Sequence, residues 1–210
     1  MSDITTIVFD LGGVLVKDPG NIVFPTIASF LGKSETQLRD AYAKHSLRVT
    51  NGEMTLADAY NLVIADLGVT TPKVTGTSTV EKHLQTYRQC STKRDEEIIQ
   101  LIAELKDIGK TVACFTNTEP EIFDFNSSIG LFSYFGKHAY SSTNLHLSKP
   151  NPDSFRKLAS AIGEKPQQTV FIDDNQAYVQ SAAGIGMNSL LYTNAAALRT
   201  DLKKLAITVR

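Results

Sequence analysis

The chain has 210 residues, of which 42% are hydrophobic and 20% are charged, and its formal net charge is −1. This balance provides no long-range field to attract nucleic acid or an anionic membrane, so neither is expected as a partner. No apolar run approaches the roughly 20 residues that cross a bilayer, and residues 1–4 lack the basic start of a signal peptide. We therefore expect a cytoplasmic protein, whose oligomeric state stays open.

Five short segments have the composition of β-strands, and three of them are nearly continuous apolar runs, as is typical of parallel strands buried on both faces. In chain order they are residues 4–9, 111–115, 138–141, 169–172 and the weaker 188–192. Helical patterns occupy residues 93–108, 152–162, 176–183 and 195–205, and Thr92 with Asp95 is expected to cap the first of them. This alternation predicts an α/β fold, a Rossmann-like doubly wound parallel sheet with helices on both faces.

Residues 17–90 interrupt the alternation directly after the first strand. They contain helical patterns and no convincing strand, so we expect about four helices there. Ser34 and Ser78 each begin a stretch with the spacing of a capping box, Thr55 and Asp58 form a weaker variant, and residues 69–79 have the composition of a loop. The sequence thus predicts an α/β core of residues 1–16 plus 91–210 and a helical domain of residues 17–90.

The residues suited to catalysis come just beyond the predicted strands, where ligands collect in α/β sheets. Asp10 follows the first strand and Thr116 follows the second. Lys149 lies a short connection beyond the third strand, and the pair Asp173 and Asp174 comes after the fourth. Three carboxylates, a hydroxyl and an ammonium group are therefore expected to converge at one edge of the sheet.

This combination of groups indicates phosphoryl chemistry assisted by a metal ion. Three clustered carboxylates repel one another unless a cation neutralises them, and an all-oxygen ligand set suits Mg²⁺. With its charge screened, Asp10 is able to attack a phosphate ester as a covalent nucleophile. Lys149 and Thr116 are suited to hold the transferring oxygens. Gly12 and Gly13 let the backbone pass close to the substrate and supply N–H groups to it.

Four segments of the chain resemble the signature motifs of the haloacid dehalogenase (HAD) superfamily in order and spacing. They are residues 9–15, 115–117, 149–152 and 172–175. The resemblance covers nearly the whole chain, because residues 17–90 are similar to the helical C1 cap of that superfamily. Within it the chain most resembles bacterial sugar-phosphate phosphatases of the glucose-1-phosphate phosphatase kind, and more distantly the phosphatase domain of soluble epoxide hydrolase.

The resemblance implies a Mg²⁺-dependent phosphatase that hydrolyses a small phosphate monoester, such as a sugar phosphate, through a phospho-Asp10 intermediate. The implied Mg²⁺ ligands are Asp10, the backbone carbonyl of Gly12, Asp174 directly, and Asp173 either directly or through water. The implied phosphate contacts are Thr116, the backbone N–H of Asn117, and Lys149, which also steadies the nucleophile.

Gly12 departs from the pattern of most phosphatases in the superfamily. They carry an aspartate two residues beyond the nucleophile, which serves as general acid and base. Two alternatives therefore stay open: another HAD reaction, phosphomutase transfer or dehalogenation, or the binding of a phosphorylated ligand with little or no turnover. Dehalogenases do not need the pair Asp173 and Asp174, and a mutase normally needs the acid that Gly12 replaces.

The predicted helical domain contains charged residues that are further candidates for substrate binding or proton transfer. Charged residues on a helix most often form a solvated surface. One basic stretch either forms such a surface or holds the leaving group of the substrate, and it consists of Arg39, Lys44, His45 and Arg48. Weaker candidates for the missing acid are Glu53 and Asp58, and Asp58 also fits a helix cap.

Neither the histidines nor the cysteines indicate a transition-metal site. No ligand spacing relates His83, His138 and His146. The two cysteines, Cys90 and Cys114, form no Cys-x-x-Cys pair, so no disulfide scaffold is expected, and Cys114 lies in an apolar run typical of a buried side chain.

Overall fold

The computed structural model describes residues 3–16, 19–91 and 93–209. At its centre lies a five-stranded parallel sheet built from β1 (Thr6–Phe9), β2 (Thr111–Thr116), β3 (Ala139–Ser141), β4 (Thr169–Asp173) and β5 (Asn188–Leu191). The strands lie in the order β3-β2-β1-β4-β5 across the sheet. All five predicted strands are present, and the predicted α/β fold is confirmed.

The register of the central strands brings their carboxyl ends to one level. Phe9 of β1 pairs with Cys114 of β2 on one side and with Ile172 of β4 on the other. The residues that follow, among them Asp10 and Asp173, therefore lie side by side at the same edge of the sheet.

The helices of the described residues fall into two groups. Those between β1 and β2 are α1 (Gly20–Leu31), α2 (Glu35–Thr50), α3 (Leu56–Asp66), α4 (Gly76–Ser91) and α5 (Glu96–Asp107). Those after β2 are α6 (Pro120–Ser128), α7 (Ser142–Leu145), α8 (Pro152–Ile162), α9 (Gln176–Gly184) and α10 (Ala195–Lys204), with short 3-10 turns at Leu131–Tyr134 and Pro166–Gln168.

Helices cover both faces of the sheet because successive side chains of a strand point to opposite faces. Ile7 and Phe9 pack in one core cluster with residues of α5 and α10, such as Leu101. Val8 packs on the other face, in a cluster with Phe155 of α8. Burial of the strands on both faces explains why they are nearly continuous apolar runs in the sequence.

The four helices expected between β1 and α5 are α1 to α4, which we call the helical insertion. They have a hydrophobic core of their own that includes Ile27, Leu38, Leu56 and Tyr60. Ile122 of α6 joins this core, so the insertion packs against the loop and helix that follow β2. This packing places the insertion beside the carboxyl edge of the sheet.

The helix caps follow the sequence with one error. Ser34 and Gln37 form the predicted capping box, and the Thr55 side chain accepts from the Asp58 backbone N–H. The box predicted at Ser78 is wrong, because α4 begins at Gly76. There the Thr75 backbone N–H donates to Ser78 Oγ at 2.9 Å and the Ser78 backbone N–H donates to Thr75 Oγ1 at 3.1 Å. The loop predicted for residues 69–79 therefore ends at residue 75, four residues early.

Two other sequence expectations bear on the first core helix and on the cysteines. Asp95 caps α5, since its side chain accepts from the backbone N–H groups of Glu97 and Ile98, while Thr92 lies outside the described residues. Cys114 is a free, buried side chain, as predicted, and the side chain of Cys90 lies outside the description. Within the described ranges no helix combines the length and the apolar character that crossing a membrane requires.

Candidate active site

Lys149 is the centre of the candidate site. Its Nζ donates to Asp10 Oδ1 at 2.8 Å, to Asp173 Oδ2 at 2.6 Å and to the backbone carbonyl of Phe115 at 3.1 Å. Lys149 is 3% exposed, Asp10 8% and Asp173 0%. The hydrogen bonds between this lysine and the two carboxylates are strong, because both partners are charged and because burial keeps water from competing for them.

The backbone at Lys149 is held by Asn117. The Asn117 side-chain amide donates to the Lys149 carbonyl at 2.8 Å, and its Oδ1 accepts from the Lys149 N–H at 2.9 Å. The predicted contact of the Asn117 backbone N–H with phosphate stays a prediction, and the structure shows in addition that the Asn117 side chain bonds to the backbone of the lysine. This reciprocal pair fixes where the ammonium group points.

Three aromatic rings lie near the ammonium group of Lys149. Its Nζ lies 5.5 Å from the ring centroid of Phe115, 5.3 Å from that of Phe171 and 5.0 Å from that of Tyr178. These faces attract a cation and leave it little room to move. Tyr178 was not among the predicted site residues, because nothing in its local sequence distinguishes it from other residues of α9.

The helical insertion is tied to the residue before Lys149. Ser148 Oγ donates to Asn51 Oδ1 at 2.6 Å and lies 2.9 Å from Thr50 Oγ1. His146 Nδ1 lies 3.2 Å from the Asn51 carbonyl. The C-terminal end of α2 therefore contacts the segment that carries the lysine.

Asp10, Asp173 and Asp174 form one acidic cluster. Each offers a carboxylate oxygen, and these oxygens lie within 4.8 Å of one another. Three negative charges against the single positive charge of Lys149 leave a formal charge of −2, which a divalent cation would balance. An all-oxygen donor set of this kind fits Mg²⁺. Among the described residues this is the one group of three or more acidic, histidine or cysteine side chains that could hold a metal.

The electrostatics of Asp10 and Lys149 reflect their burial and their closeness. Burial raises the pKa of Asp10 to about 7, with a further increase from Asp173 and an opposing effect from Lys149. Burial by itself lowers the pKa of Lys149, but Asp10 and Asp173 outweigh it, so this pKa is raised and the ammonium form is retained. A cation beside Asp10 would favour its ionised form, which is the form a nucleophile requires.

The loop after β1 folds back so that Gly13 faces Asp174. The backbone N–H of Gly13 donates to the Val16 carbonyl at 2.7 Å, and Gly13 has φ of +80°. A Cβ atom at this position would lie 2.1 Å from Asp174 Oδ2. Gly13 therefore leaves room for the Asp174 side chain. The predicted approach of its backbone to the substrate stays a prediction.

A cavity of about 510 Å³ opens above this cluster. Its floor consists of residues from the strand ends, Asp10, Gly12, Thr116, Asn117, Lys149, Asp173 and Asp174. Its far walls consist of residues from the insertion and from the region of α6 and α9, namely Pro19, Phe24, Tyr87, Glu119, Ile122, Asn126 and Tyr178. The site residues predicted in the core thus line one cavity, except Gly13, which contacts Asp174 and is not among the lining residues.

The site residues considered within the helical insertion do not line this cavity. None of the six residues Arg39, Lys44, His45, Arg48, Glu53 and Asp58 is among the cavity-lining residues of the described chain. Arg39 pairs with Glu35 at 2.7 Å and stacks 4.3 Å from the ring centroid of Phe24. Lys44 pairs with Asp66 at 2.9 Å, so these charges belong mainly to a solvated helix surface.

The parallel sheet, the acidic cluster and the buried lysine together define a hydrolase of the HAD type. The sequence model of the haloacid dehalogenase-like hydrolases matches residues 4–186, and the chain belongs to this family of enzymes.

Two curated relatives are similar in sequence. Flavin mononucleotide hydrolase 1 of Arabidopsis thaliana is 38% identical over 61 residues, which are 29% of this chain and only 25% of that protein. Pyrophosphatase PpaX of Bacillus cereus is 22% identical over 179 residues, 82% of this chain and 75% of that protein.

Solved structures of the family share the fold. A HAD-family enzyme of Bacteroides thetaiotaomicron, in complex with magnesium and inorganic phosphate, has a TM-score of 0.73 at 18% identity, covering 90% of this chain and 94% of that one. An L-2-haloacid dehalogenase of Xanthobacter autotrophicus has a TM-score of 0.65 at 21% identity, covering 98% and 84%.

Proposed function

We propose that this protein is a Mg²⁺-dependent phosphatase that hydrolyses a small phosphate monoester, such as a sugar phosphate. The observation that carries the proposal is the shared contact of Lys149 Nζ with Asp10 and Asp173, within a cluster of three carboxylates below a cavity. Family membership supports hydrolysis, and the names of the two curated relatives support a phosphorylated substrate.

In this proposal residues 1–16 plus 91–210 form the catalytic core, and residues 17–90 form a cap of the C1 type. The division is supported by the separate hydrophobic core of the insertion. It is also supported by the cavity, whose walls include Phe24 and Tyr87 from the insertion and Asp10 and Lys149 from the core. Such a cap encloses the substrate and excludes water during the reaction.

The first step transfers the phosphoryl group to Asp10. A carboxylate oxygen of Asp10 attacks phosphorus, the bond from phosphorus to the leaving oxygen breaks, and that oxygen takes up a proton to become an alcohol. Lys149 and the Thr116 hydroxyl hold the phosphoryl oxygens while charge develops on them. Mg²⁺, held by Asp10, Asp173, Asp174 and the Gly12 carbonyl, would supply charge neutralisation of the carboxylates and the phosphate.

The second step regenerates the enzyme. A water molecule attacks the phosphorus of phospho-Asp10, the acyl phosphate bond breaks, and inorganic phosphate and the free carboxylate of Asp10 result. Gly12 offers no side chain to exchange protons in either step, so in this proposal solvent supplies and accepts them. The rate is then expected to depend strongly on how good the leaving group is.

Metal removal is expected to stop the reaction. Treatment with EDTA should lower the hydrolysis of p-nitrophenyl phosphate at least about 100-fold, because the cluster then repels the phosphate instead of attracting it. Adding excess Mg²⁺ should restore the rate. Release of p-nitrophenol at an unchanged rate in EDTA would contradict the proposal. A screen of phosphorylated metabolites with Mg²⁺ present then identifies the substrate class.

Restoring the acid at position 12 is expected to raise the rate. In the variant Gly12→Asp the new Cβ would meet only Pro19 Cδ, at 3.9 Å, which is ordinary van der Waals contact, so the backbone accepts a Cβ at this position. A positioned acid or base typically contributes about 10²–10⁴-fold, and we expect kcat for a sugar phosphate to rise at least about tenfold. Gly12→Asn is the matched control, because it has the same shape and no acid. Equal rates in both variants would contradict this expectation.

Gly12 also supports a second candidate function, the binding of a phosphorylated ligand without turnover. That alternative would show Mg²⁺-dependent binding of the ligand and no phosphate release in the screen. Dehalogenation or phosphomutase transfer would instead release halide or an isomeric sugar phosphate without inorganic phosphate. The carboxylate pair Asp173 and Asp174 supports the phosphatase over the dehalogenase, which does not need it.

A further inference from the structure

Glu119 is an acidic residue that lines the cavity and does not belong to the cluster of Asp10, Asp173 and Asp174. It directly follows Thr118 in the loop between β2 and α6 and lines the same cavity as Asp10 and Lys149. Glu119 is also the N-cap residue of α6, yet its side chain makes no capping hydrogen bond. The Glu119 carboxylate is therefore available for contacts other than capping α6.

The helical insertion holds this carboxylate in place. The hydroxyl of Tyr42, on α2, donates to Glu119 Oε1 at 2.7 Å. Burial and the nearby Glu119 charge raise the pKa of Tyr42, so its hydroxyl stays protonated and remains a donor. Within the described part of the chain, Oε2 has no hydrogen-bond donor. Tyr42 thus holds one carboxylate oxygen of Glu119, a residue that lines the cavity, and leaves the other oxygen without a donor from the described residues.

The surroundings of Glu119 are apolar and aromatic. Phe24, Tyr87 and Ile122 line the cavity and belong to the same hydrophobic cluster as Tyr42, the partner of Glu119. Asn126, fully buried at this wall, donates through Nδ2 to Tyr87 Oη at 3.0 Å, and its Oδ1 is a buried acceptor without a partner among the described residues. The residues around Glu119 therefore offer apolar and aromatic faces, and the buried Asn126 holds the Tyr87 ring in place.

We propose that Glu119 selects the leaving group of the substrate. Its carboxylate accepts a hydrogen bond from a hydroxyl or amino group of the leaving group, which stacks against the aromatic walls. The same charge disfavours a leaving group with a second anionic group, since like charges in a partly desolvated cavity repel strongly. The inference rests on the phosphatase function proposed above and narrows its substrates to monoesters of neutral or cationic alcohols.

The inference also predicts a substrate preference different from that named for the Bacillus relatives, which are called pyrophosphatases. Inorganic pyrophosphate would place a second phosphate next to Glu119. It is therefore expected to be a poor substrate here.

The test uses two substrates that share a skeleton. Glycerol 3-phosphate has a hydroxymethyl group where 3-phosphoglycerate has a carboxylate. We expect wild-type kcat/KM to favour glycerol 3-phosphate at least about tenfold, the size of one hydrogen bond to a charged group or of one like-charge contact. If either compound turns over too slowly, its inhibition constant against p-nitrophenyl phosphate hydrolysis replaces the rate.

Three variants assign this preference to Glu119. Glu119→Gln, which keeps the shape and removes the charge, should reduce the preference at least about fivefold. Tyr42→Phe removes the hydrogen bond that holds the Glu119 carboxylate, so it should reduce the substrate preference partly. It serves as the second variant if Glu119→Gln folds poorly. Glu121→Gln is the matched control, because Glu121 lies two residues away, accepts from the Leu56 backbone N–H and does not line the cavity.

The possible results distinguish failure of the proposed phosphatase function from failure of the inference about Glu119. Absence of p-nitrophenyl phosphate hydrolysis by the wild type would reject the phosphatase function and the inference with it. Hydrolysis of p-nitrophenyl phosphate without a preference between the glycerol compounds, or with one that survives both Glu119→Gln and Tyr42→Phe, would overturn the inference alone. Rapid cleavage of pyrophosphate would also overturn it.

Discussion

Replacing Asp10 with Asn is expected to lower kcat for p-nitrophenyl phosphate by roughly 10⁴-fold or more, because an amide cannot serve as the covalent nucleophile. The substitution keeps the shape of the side chain, and the amide oxygen is able to accept from Lys149 Nζ, which lies 2.8 Å from Asp10 Oδ1 in the wild type. The variant should therefore stay folded. Stopped assays of phosphate release measure the effect, with thermal unfolding as the check on folding.

Asp58→Asn is a suitable control for this variant. Asp58 is exposed, lies at the start of α3 and contacts Thr55, not the cavity. It should keep wild-type kcat. Trapping of a phosphorylated enzyme by acid quench in the wild type and its loss in Asp10→Asn would support the intermediate. Undiminished turnover by Asp10→Asn would exclude Asp10 as the nucleophile.

The substitution Gly13→Ala is expected to weaken Mg²⁺ binding by about 100-fold, the upper range for groups that orient metal ligands. The new Cβ would lie 2.1 Å from Asp174 Oδ2, so the carboxylate must leave its present position. Asp174 then no longer offers an oxygen to the cluster. The Mg²⁺ concentration that gives half-maximal activity should rise accordingly, and calorimetric titration with Mg²⁺ alone measures the same loss directly.

Gly109→Ala is the matched control for backbone strain. Gly109 has φ of +79°, nearly the same as Gly13, and a Cβ there meets nothing within 4 Å. Both variants pay the cost of a left-handed alanine, about 1 kcal/mol of stability, but only Gly13→Ala displaces Asp174. Equal Mg²⁺ dependence in the two variants would show that the contact with Asp174 is unimportant for the metal.

The fold and the floor of the site were accessible from the sequence because both depend on local patterns. Buried parallel strands are continuous apolar runs, and the residue after each run lies at a known edge of the sheet. Asp10, Thr116 and Asp173 are placed by this argument alone. Lys149 was placed by the same argument, although a connection of several residues separates it from β3.

The walls of the cavity could not be predicted in this way. Tyr87, Glu119 and Asn126 come from α4, from the loop after β2 and from α6, and they meet only through packing of the insertion on the core. Helix α6 was itself not predicted, because nine residues with few apolar positions give a weak periodic signal. The role of Gly13 also depends on a neighbour 161 positions away in sequence, Asp174.

The hydrogen bonds of Ser148 have a mechanical consequence. Ser148 contacts Thr50 and Asn51 at the end of α2, and the next residue is Lys149. If the helical insertion moved away from the core, either these two hydrogen bonds would break or the backbone at Lys149 would move with α2. Opening of the proposed cap with these hydrogen bonds intact would thereby also shift Lys149, because Ser148 joins the end of α2 to the residue before the lysine.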